Sequence, residues 1–319
     1  AAAALAELTP GTTSKPIPTI SIAKTDLMST TAPTVVCFGE ILWDFLPAGL
    51  FVGGAPFNVA YHLHRHGVAA HLMSAVGDDL LGEELLRRMH AWGLSTGSVA
   101  RLGTHPTGYV RATLGSGGDA RYTIVENVAW DHVQVTPSAI ALAARADAVV
   151  FGSLAQRGEA NRLALDTLLA ALPEHALRVF DVNLRAPFDD LALVRRLASG
   201  ATLLKVNSDE AARLAEGTPD EIEANARTIS RSCACPRVCV TGGARGAGFL
   251  DDGRWHWEHG RPVEVEDTVG AGDAFLACLI AGLVHGPSDV AAVLARACRL
   301  GEWVAAQRGA TPDYATNKT

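Results

Sequence analysis

The chain is 319 residues long, 48% hydrophobic and 19% charged, with a formal net charge of −7. That is enough chain to bury a large core, and its acidity argues against nucleic acid or an anionic membrane surface as the main partner. The longest strongly apolar run, Ala274 to Val284, is about half of the roughly 20 residues that a bilayer span requires.

Residues 1 to about 33 are rich in Ala, Thr, Ser and Pro and lack the basic start and apolar block of a signal peptide. They read as a flexible tail ahead of one domain over 34–319. Thr34 to Gly39 has the form of a buried first strand. The alternation of Leu42, Phe45 and Leu46 with Asp44, followed by Phe51 and Val52, predicts a small β-excursion that returns at Gly53 and Gly54. Pro56 suits the first turn of a helix that continues to Gly67. A second strand runs from Ala69 to Val76, and Asp78 and Asp79 open a helix from Leu80 to Trp92. Between Thr107 and Glu126 two alternating strands flank Gly115 to Gly118, a hairpin by its turn residues.

Helix and strand then alternate. Helices are expected from Thr136 to Ala146, from Asn161 to Leu172, and ahead of Ala201. Strands are expected at Ala148 to Phe151, Leu177 to Val182, Ala201 to Val206 and Arg237 to Thr241. A hairpin across Asp251 to Gly253 and a further strand at Val263 and Val265 lead to an apolar helix from Asp273 to Gly286, and the last helix runs from Asp289 to Ala306. This alternation predicts a doubly wound, mostly parallel α/β sheet. Cys37, Cys233, Cys235, Cys239, Cys278 and Cys298 show no C-x-x-C spacing, which fits reduced thiols and a cytoplasmic protein. His62 and His66 share a helix face, but no acid or cysteine completes a metal set, so they read as histidines at a helix's solvent edge.

The string Asp267-Thr-Val-Gly270-Ala271-Gly272-Asp273 stands between the strand expected at Val265 and a helix. Free amides and the positive end of the helix dipole make such a helix start attractive to anions. A carboxylate at Asp273 is out of place there unless it has a second task. Beside a phosphate it could take the proton of an alcohol while the amides of Gly270, Ala271 and Gly272 hold the charge on a transferring phosphoryl group. Asp44 and Asn58, taken alone, read as a surface carboxylate and a helix-start amide.

The full D-T-V-G-A-G-D-A-F string resembles the signature of the ribokinase-like, or PfkB-type, carbohydrate kinases, and G-G-A-P-F-N-V-A resembles their first signature. The order of Asp181-Val-Asn183-Leu-Arg185, Asn207 with Glu210, and Thr241-x-Gly243-x-x-Gly246 strengthens the likeness, which is strongest to bacterial fructokinases. The resemblance implies a ribokinase-like fold whose small β-sheet, about 41–54 and 105–131, covers the sugar as a lid. It implies Asp273 as the base and Asp44, Gly53, Gly54, Asn58 and Arg185 at the sugar. Asn183, Asn207, Glu210, Thr241, Gly243, Gly246 and Gly309 would meet ATP, with Glu210 reaching Mg²⁺ through water and Asp267 and Val269 near a monovalent cation such as K⁺. Ala55, where ribokinases carry Lys, points away from ribose.

The expected activity is ATP-dependent phosphorylation of a small sugar, D-fructose at its 6-hydroxyl first. Alternatives are 2-keto-3-deoxygluconate, for which Arg111 or Arg185 offers a cation, ribose, or a nucleoside stacked on Trp43, Phe45 or Tyr109; a sugar-sensing protein on the same fold would not need Asp273. Exposed lid strands could pair two subunits edge to edge.

Overall fold

Unbroken apolar runs offer no face to solvent and become strands of a sheet covered on both sides, whereas alternating runs form a second, thinner sheet. The computed structural model describes residues 32–46, 49–114, 120–286 and 289–314, without the side chains of 112–114 and 120–122, and Ala32–Pro312 form one unit. The tail expected over 1–33, apart from Ala32 and Pro33, and the turn expected at Gly115–Gly118 lie outside the described residues.

The unit opens with β1 (Thr34–Phe38), β2 (Leu42–Leu46), β3 (Gly49–Gly53), α1 (Ala55–Arg65), β4 (Ala69–Gly77), α2 (Leu80–Ala91) and β5 (Val99–Leu102). Next come β6 (Tyr109–Leu114), β7 (Ala120–Ile124), α3 (Pro137–Ala143), β8 (Ala148–Gly152), α4 (Glu159–Ala171), β9 (Leu177–Asp181), α5 (Leu191–Ala198) and β10 (Leu203–Asn207). It closes with α6 (Ser208–Ala215), α7 (Ile222–Cys233), β11 (Arg237–Thr241), β12 (Gly246–Asp251), β13 (Arg254–His259), α8 (Ala271–Val284) and α9 (Val290–Ala305).

The larger sheet has the order β13-β12-β11-β10-β9-β8-β1-β4-β5. Its strands from β5 to β11 pair in parallel, and β12 and β13 add an antiparallel edge. The chain winds one way from β1 through β4 to β5 and the other way from β8 onward. The order therefore reverses between β1 and β8, and the crevice outside the carboxyl ends of such strands is where open α/β sheets bind ligands. One face of the sheet packs against apolar residues of α3 to α7, among them Leu142, Leu165, Val194, Leu214 and Ile229. Across the other face lie α1, α8 and α9, packed on one another and on strands. Helix α8 is apolar all round, as a helix enclosed by neighbours must be, and is buried from Asp273 to Ala281.

The smaller sheet has the order β3-β2-β6-β7. Its strands enter and leave the larger layer at four places, and side chains fix two of them. Asp79 accepts from the Thr107 amide at 2.8 Å and the Thr107 hydroxyl at 2.7 Å, just ahead of β6. Arg157 donates to the Val125 carbonyl, just after β7, at 2.7 Å.

Two expectations need correction, and two elements lie outside them. No strand forms at Val263 and Val265. Both are exposed, at 39% and 55%, because the chain leaves the sheet at β13 and crosses to α8 held only at scattered points, among them the Arg261 amide on Glu302 and the amides of Glu266 and Asp267 on the Ala305 carbonyl. His62 is not at a solvent edge: it is fully buried, its Nε2 lies 2.9 Å from the Ala310 carbonyl, and burial pushes its pKa down to about 4. Strand β5 and helix α7 were not foreseen.

Candidate functional site

The site is assembled at the carboxyl ends of β1, β9 and β10 by four loops and the starts of three helices. After β1 the chain turns at Gly39 and Glu40 into β2, which carries Asp44. A Cβ on Gly53 would collide with Asp44 Oδ2, so the carboxylate of β2 lies over the turn that leads into α1. Gly54 sits at φ 109, and the Glu40 carbonyl occupies the space where its Cβ would be; only glycine lets these two backbone segments meet. One turn into α1, Asn58 donates from Nδ2 to Asp273 Oδ2 at 2.8 Å, both groups buried. Asp44, Gly53, Gly54, Asn58 and Asp273, spread over more than 200 residues of sequence, thus form one constellation.

The turn before Asp273 begins with Gly270 at φ 78, the N-cap residue of α8 with no capping side chain. Ala310 fills the space that a Cβ on Gly270 would need. Of the amides there, that of Ala271 donates to Thr268 O in a long bond of 3.3 Å. Those of Gly270, Gly272 and Asp273 find no acceptor among the described residues. They are donors at a helix start, suited to an oxyanion.

Along β9 and β10 the polar groups are tied together more tightly. Glu210 accepts the Leu184 amide on one oxygen and the Asn207 amide on the other, both at 2.8 Å. The Asn207 side chain accepts from the Glu210 amide at 2.9 Å, which completes a capping box on α6. Asn183 stands at φ 38 in the loop after β9. Arg185, the next cation, is exposed and pairs with neither of the nearby acids, Asp189 and Asp190. Asp189 binds Arg213 and Asp190 caps α5.

One strand further along, Thr241 ends β11 and the backbone turns through Gly243 and Gly246 at φ 61 and 111. Asp267 accepts the amides of Val269 at 3.0 Å and Gly309 at 3.3 Å. Phe51 of β3 reaches to 3.4 Å of a Cβ position on Gly309, so the small sheet meets this corner. Trp43 is not available for stacking on a ligand. It is fully buried, donates to the Leu81 carbonyl at 3.0 Å and has Arg88 over its ring, while Phe45 and Tyr109 pack edge to face on each other.

Electrostatically the site is a concentration of acids. Burial, then the Asp181 carboxylate, pushes the Asp273 carboxyl above the ordinary range, opposed by Lys205 and by the bond from Asn58. Burial raises Asp44 to about 6, with Arg185 pulling it back, and raises Glu40 to about 7. Glu40 and Lys205 went unremarked in the sequence. Each sits in an apolar strand context, and a single charged residue there gives no spacing to read. The Lys205 ammonium is 3.1 and 3.2 Å from the two oxygens of Asp181. Buried side-chain atoms without a partner in the structure include Glu40 Oε2 and Asn58 Oδ1, the acceptors that a hydroxyl-bearing ligand satisfies.

A family model described as pfkB family carbohydrate kinase matches residues 34–317. The chain is 29% identical to fructokinase-1 of Oryza sativa subsp. japonica over 312 residues, covering 88% of this chain and 94% of that one. It is likewise 29% identical to the fructokinase of Klebsiella pneumoniae over 269 residues, 81% and 87% of the two chains. The fold matches, with a TM-score of 0.76 at 23% identity, a double mutant of Vibrio cholerae O395 fructokinase crystallised with fructose, ADP and a potassium ion, over 91% of this chain and 98% of that one. No helix among the described residues is long and apolar enough to cross a membrane.

Proposed function

This chain belongs to the pfkB family of carbohydrate kinases, and on that premise we propose that it transfers the γ-phosphoryl group of ATP to a primary hydroxyl of a small sugar, D-fructose at its 6-hydroxyl first. The observation that carries the reading is the 2.8 Å bond from Asn58 to Asp273. It joins a residue of the hydroxyl-binding type to a carboxylate at an open helix start, so acceptor alcohol and arriving phosphoryl group share one point in space.

In this reading Asp44, the Gly53–Gly54 turn, Asn58 and Arg185 orient the sugar. Asp273, one oxygen held by Asn58, takes the hydroxyl proton. The amides of Gly270, Gly272 and Asp273 receive the charge on the transferring group, and that of Ala271 joins them if it releases Thr268. Thr241, Gly243, Gly246 and Gly309 contact the nucleotide, and Asn183 and Asn207 its phosphates. Mg²⁺ entering with ATP supplies positive charge to those phosphates. Glu210, both of whose oxygens already accept amides, keeps lone pairs enough to hold such an ion through water. Asp267, Val269 and Gly309 are the residues we assign to a monovalent cation such as K⁺. We read the small sheet as a lid that keeps water from competing with the sugar hydroxyl, a role supported by the approach of Phe51 to Gly309.

Fructose is favoured by relatives named fructokinase at 29% identity over four fifths or more of the chain. The second reading is a keto acid such as 2-keto-3-deoxygluconate, favoured by an exposed Arg185 free of the two neighbouring aspartates. Coupled ADP release measured over D-fructose, ribose, 2-keto-3-deoxygluconate and a nucleoside decides between them. We expect the largest kcat/KM for fructose. A larger value for the keto acid transfers the assignment to it, and no acceptor-dependent ADP release overturns the kinase reading.

A further inference from the structure

Lys205 belongs to no motif in the sequence, yet its place in the fold is specific. It lies on β10 directly across from Asp181 on β9, with side-chain exposures of 8% and 4% for the pair. Withdrawing two charges from water is unfavourable, and apolar residues of similar volume hold two strands together as well or better. A buried pair at this register therefore calls for a reason outside the sheet. The reason lies above it: a Cβ on Gly272 would stand 3.1 Å from the Lys205 ammonium, so the cation sits immediately beneath the second glycine of the turn whose next residue is Asp273. It occupies the space a side chain at 272 would need.

We propose that Lys205 is a catalytic residue for phosphoryl transfer, its ammonium steadied by Asp181 beneath the Gly270–Gly272 turn so that it meets the phosphoryl group passing from ATP to the sugar. This deepens the kinase reading and rests on it. In the step itself the sugar oxygen forms its bond to phosphorus and loses its proton to Asp273. The bond from phosphorus to the β,γ-bridging oxygen breaks, and its electron pair leaves with ADP. Lys205 neither gives nor takes a proton; it supplies charge where the equatorial oxygens gather it.

Its charge is secure. Burial works against it, but the carboxylates of Asp181, Asp273 and Glu210 outweigh that and hold the ammonium above the ordinary lysine value. The same cation holds Asp273 down against burial and the Asp181 carboxylate. The charged groups facing the base are Asp181 from β9, Lys205 from β10, Arg185 from the loop after β9, and Glu40 and Asp44 from the segment after β1. Removing Lys205 leaves Arg185 as the one cation of that set.

The test compares Lys205→Met with the double variant Lys205→Met/Asp181→Leu, which removes the orphaned carboxylate and keeps the fold if the single variant unfolds. Four quantities are read: kcat and KM for fructose, the pH profile of kcat, calorimetric affinities for ADP and for β,γ-methylene-ATP, and the unfolding midpoint. We expect kcat to fall about 10²- to 10³-fold, the size of loss seen when one charge-stabilising donor is removed, with KM for fructose little changed. The acid limb of the pH profile of Lys205→Met should move to higher pH, and the methylene analogue should bind about tenfold more weakly while ADP affinity holds. Wild-type kcat in either variant that folds overturns the proposal, as does an equal fall in ADP and analogue binding, which a purely structural pair would give. Failure of the unaltered protein to release ADP with any sugar takes both readings down; normal turnover with an indifferent Lys205 takes down this one alone.

Discussion

Among the described residues two ion pairs are buried on both sides, and they are built differently. At the root of the small sheet, Arg157 grips Asp131 through Nε and Nη2, each bond 2.7 Å, and gives Nη2 also to the Val125 carbonyl. The rings of Trp130 and Phe188 lie against its guanidinium, at 4.1 and 4.7 Å. Beneath the helix α8 turn, Lys205 has Asp181 as its hydrogen-bond partner among the described residues, at the looser distances of 3.1 and 3.2 Å. Both pairs are buried to a similar degree, so burial does not separate structure from chemistry here. What separates them is what remains for a newcomer. A planar fork whose Nε and Nη2 are spent on Asp131 and the Val125 carbonyl, with Nη1 left without a partner and two rings against it, is a fastener, whereas a compact ammonium with one hydrogen-bond partner, next to open amides, still has charge to give.

The contrast predicts opposite phenotypes at the two ends. The largest effect is expected for Asp273→Asn, beside the lysine pair: kcat should drop roughly 10²- to 10⁴-fold, the usual worth of a general base. The unfolding midpoint should be unchanged or slightly raised, since a buried carboxyl that resists ionisation has been removed. Steady-state rates alongside a thermal melt check both halves, and near wild-type turnover removes Asp273 from the mechanism. Arg157→Met should give the mirror image. Breaking a buried pair by deleting one partner costs about 3–5 kcal/mol, so urea unfolding should shift strongly toward lower denaturant. Measured below that transition, kcat for the folded fraction should stay within about threefold of wild type. If Arg157→Met instead abolishes turnover in a stable protein, the fastener reading is wrong and the guanidinium belongs to the chemistry.

How far the sequence revealed this arrangement depends on what leaves a periodic trace. The parallel strands were legible because runs such as Val35 to Phe38 and Ala148 to Phe151 are apolar throughout. The small sheet was legible because Trp43-Asp44-Phe45 and Tyr109 to Leu114 alternate instead. The turn at Gly270 to Asp273 was legible as a string. Val263-Glu264-Val265 alternates just as well and formed no strand, since alternation cannot say whether a partner strand lies alongside. Helix α7 went unread although Ile222, Ala226, Ile229 and Cys233 keep helical spacing on its buried face. Strand β5, four residues long, was too short to show a period. Lys205 was invisible for a different reason: its meaning lies in the register of β10 against β9 and in the glycine above it, both of which exist only once the sheet is wound.

The smallest effect we expect concerns another buried acid, Glu40, which has no cation bound to it. Glu40 is 3% exposed, Oε2 has no partner, and burial lifts its carboxyl from 4.5 to about 7, opposed by its own amide and that of Ala55 at the start of α1. A raised carboxyl favours the native state below the unfolded value of 4.5, and that contribution is lost as pH climbs through about 7. Ionising Glu40 in place therefore costs the fold at most about 3 kcal/mol by pH 8, at ~1.4 kcal/mol for each tenfold change in proton affinity, and less where the loop relaxes. Glu40→Gln keeps the shape and one acceptor but cannot ionise. Its stability should match the wild type near pH 4.5 and exceed it increasingly up to pH 8, as read from urea midpoints at several pH values. Parallel curves across that range would mean that Glu40 finds a cation or water its surroundings do not display, and that the acid-rich mouth of this site is less sparing of its charges than the Lys205 pair beside it.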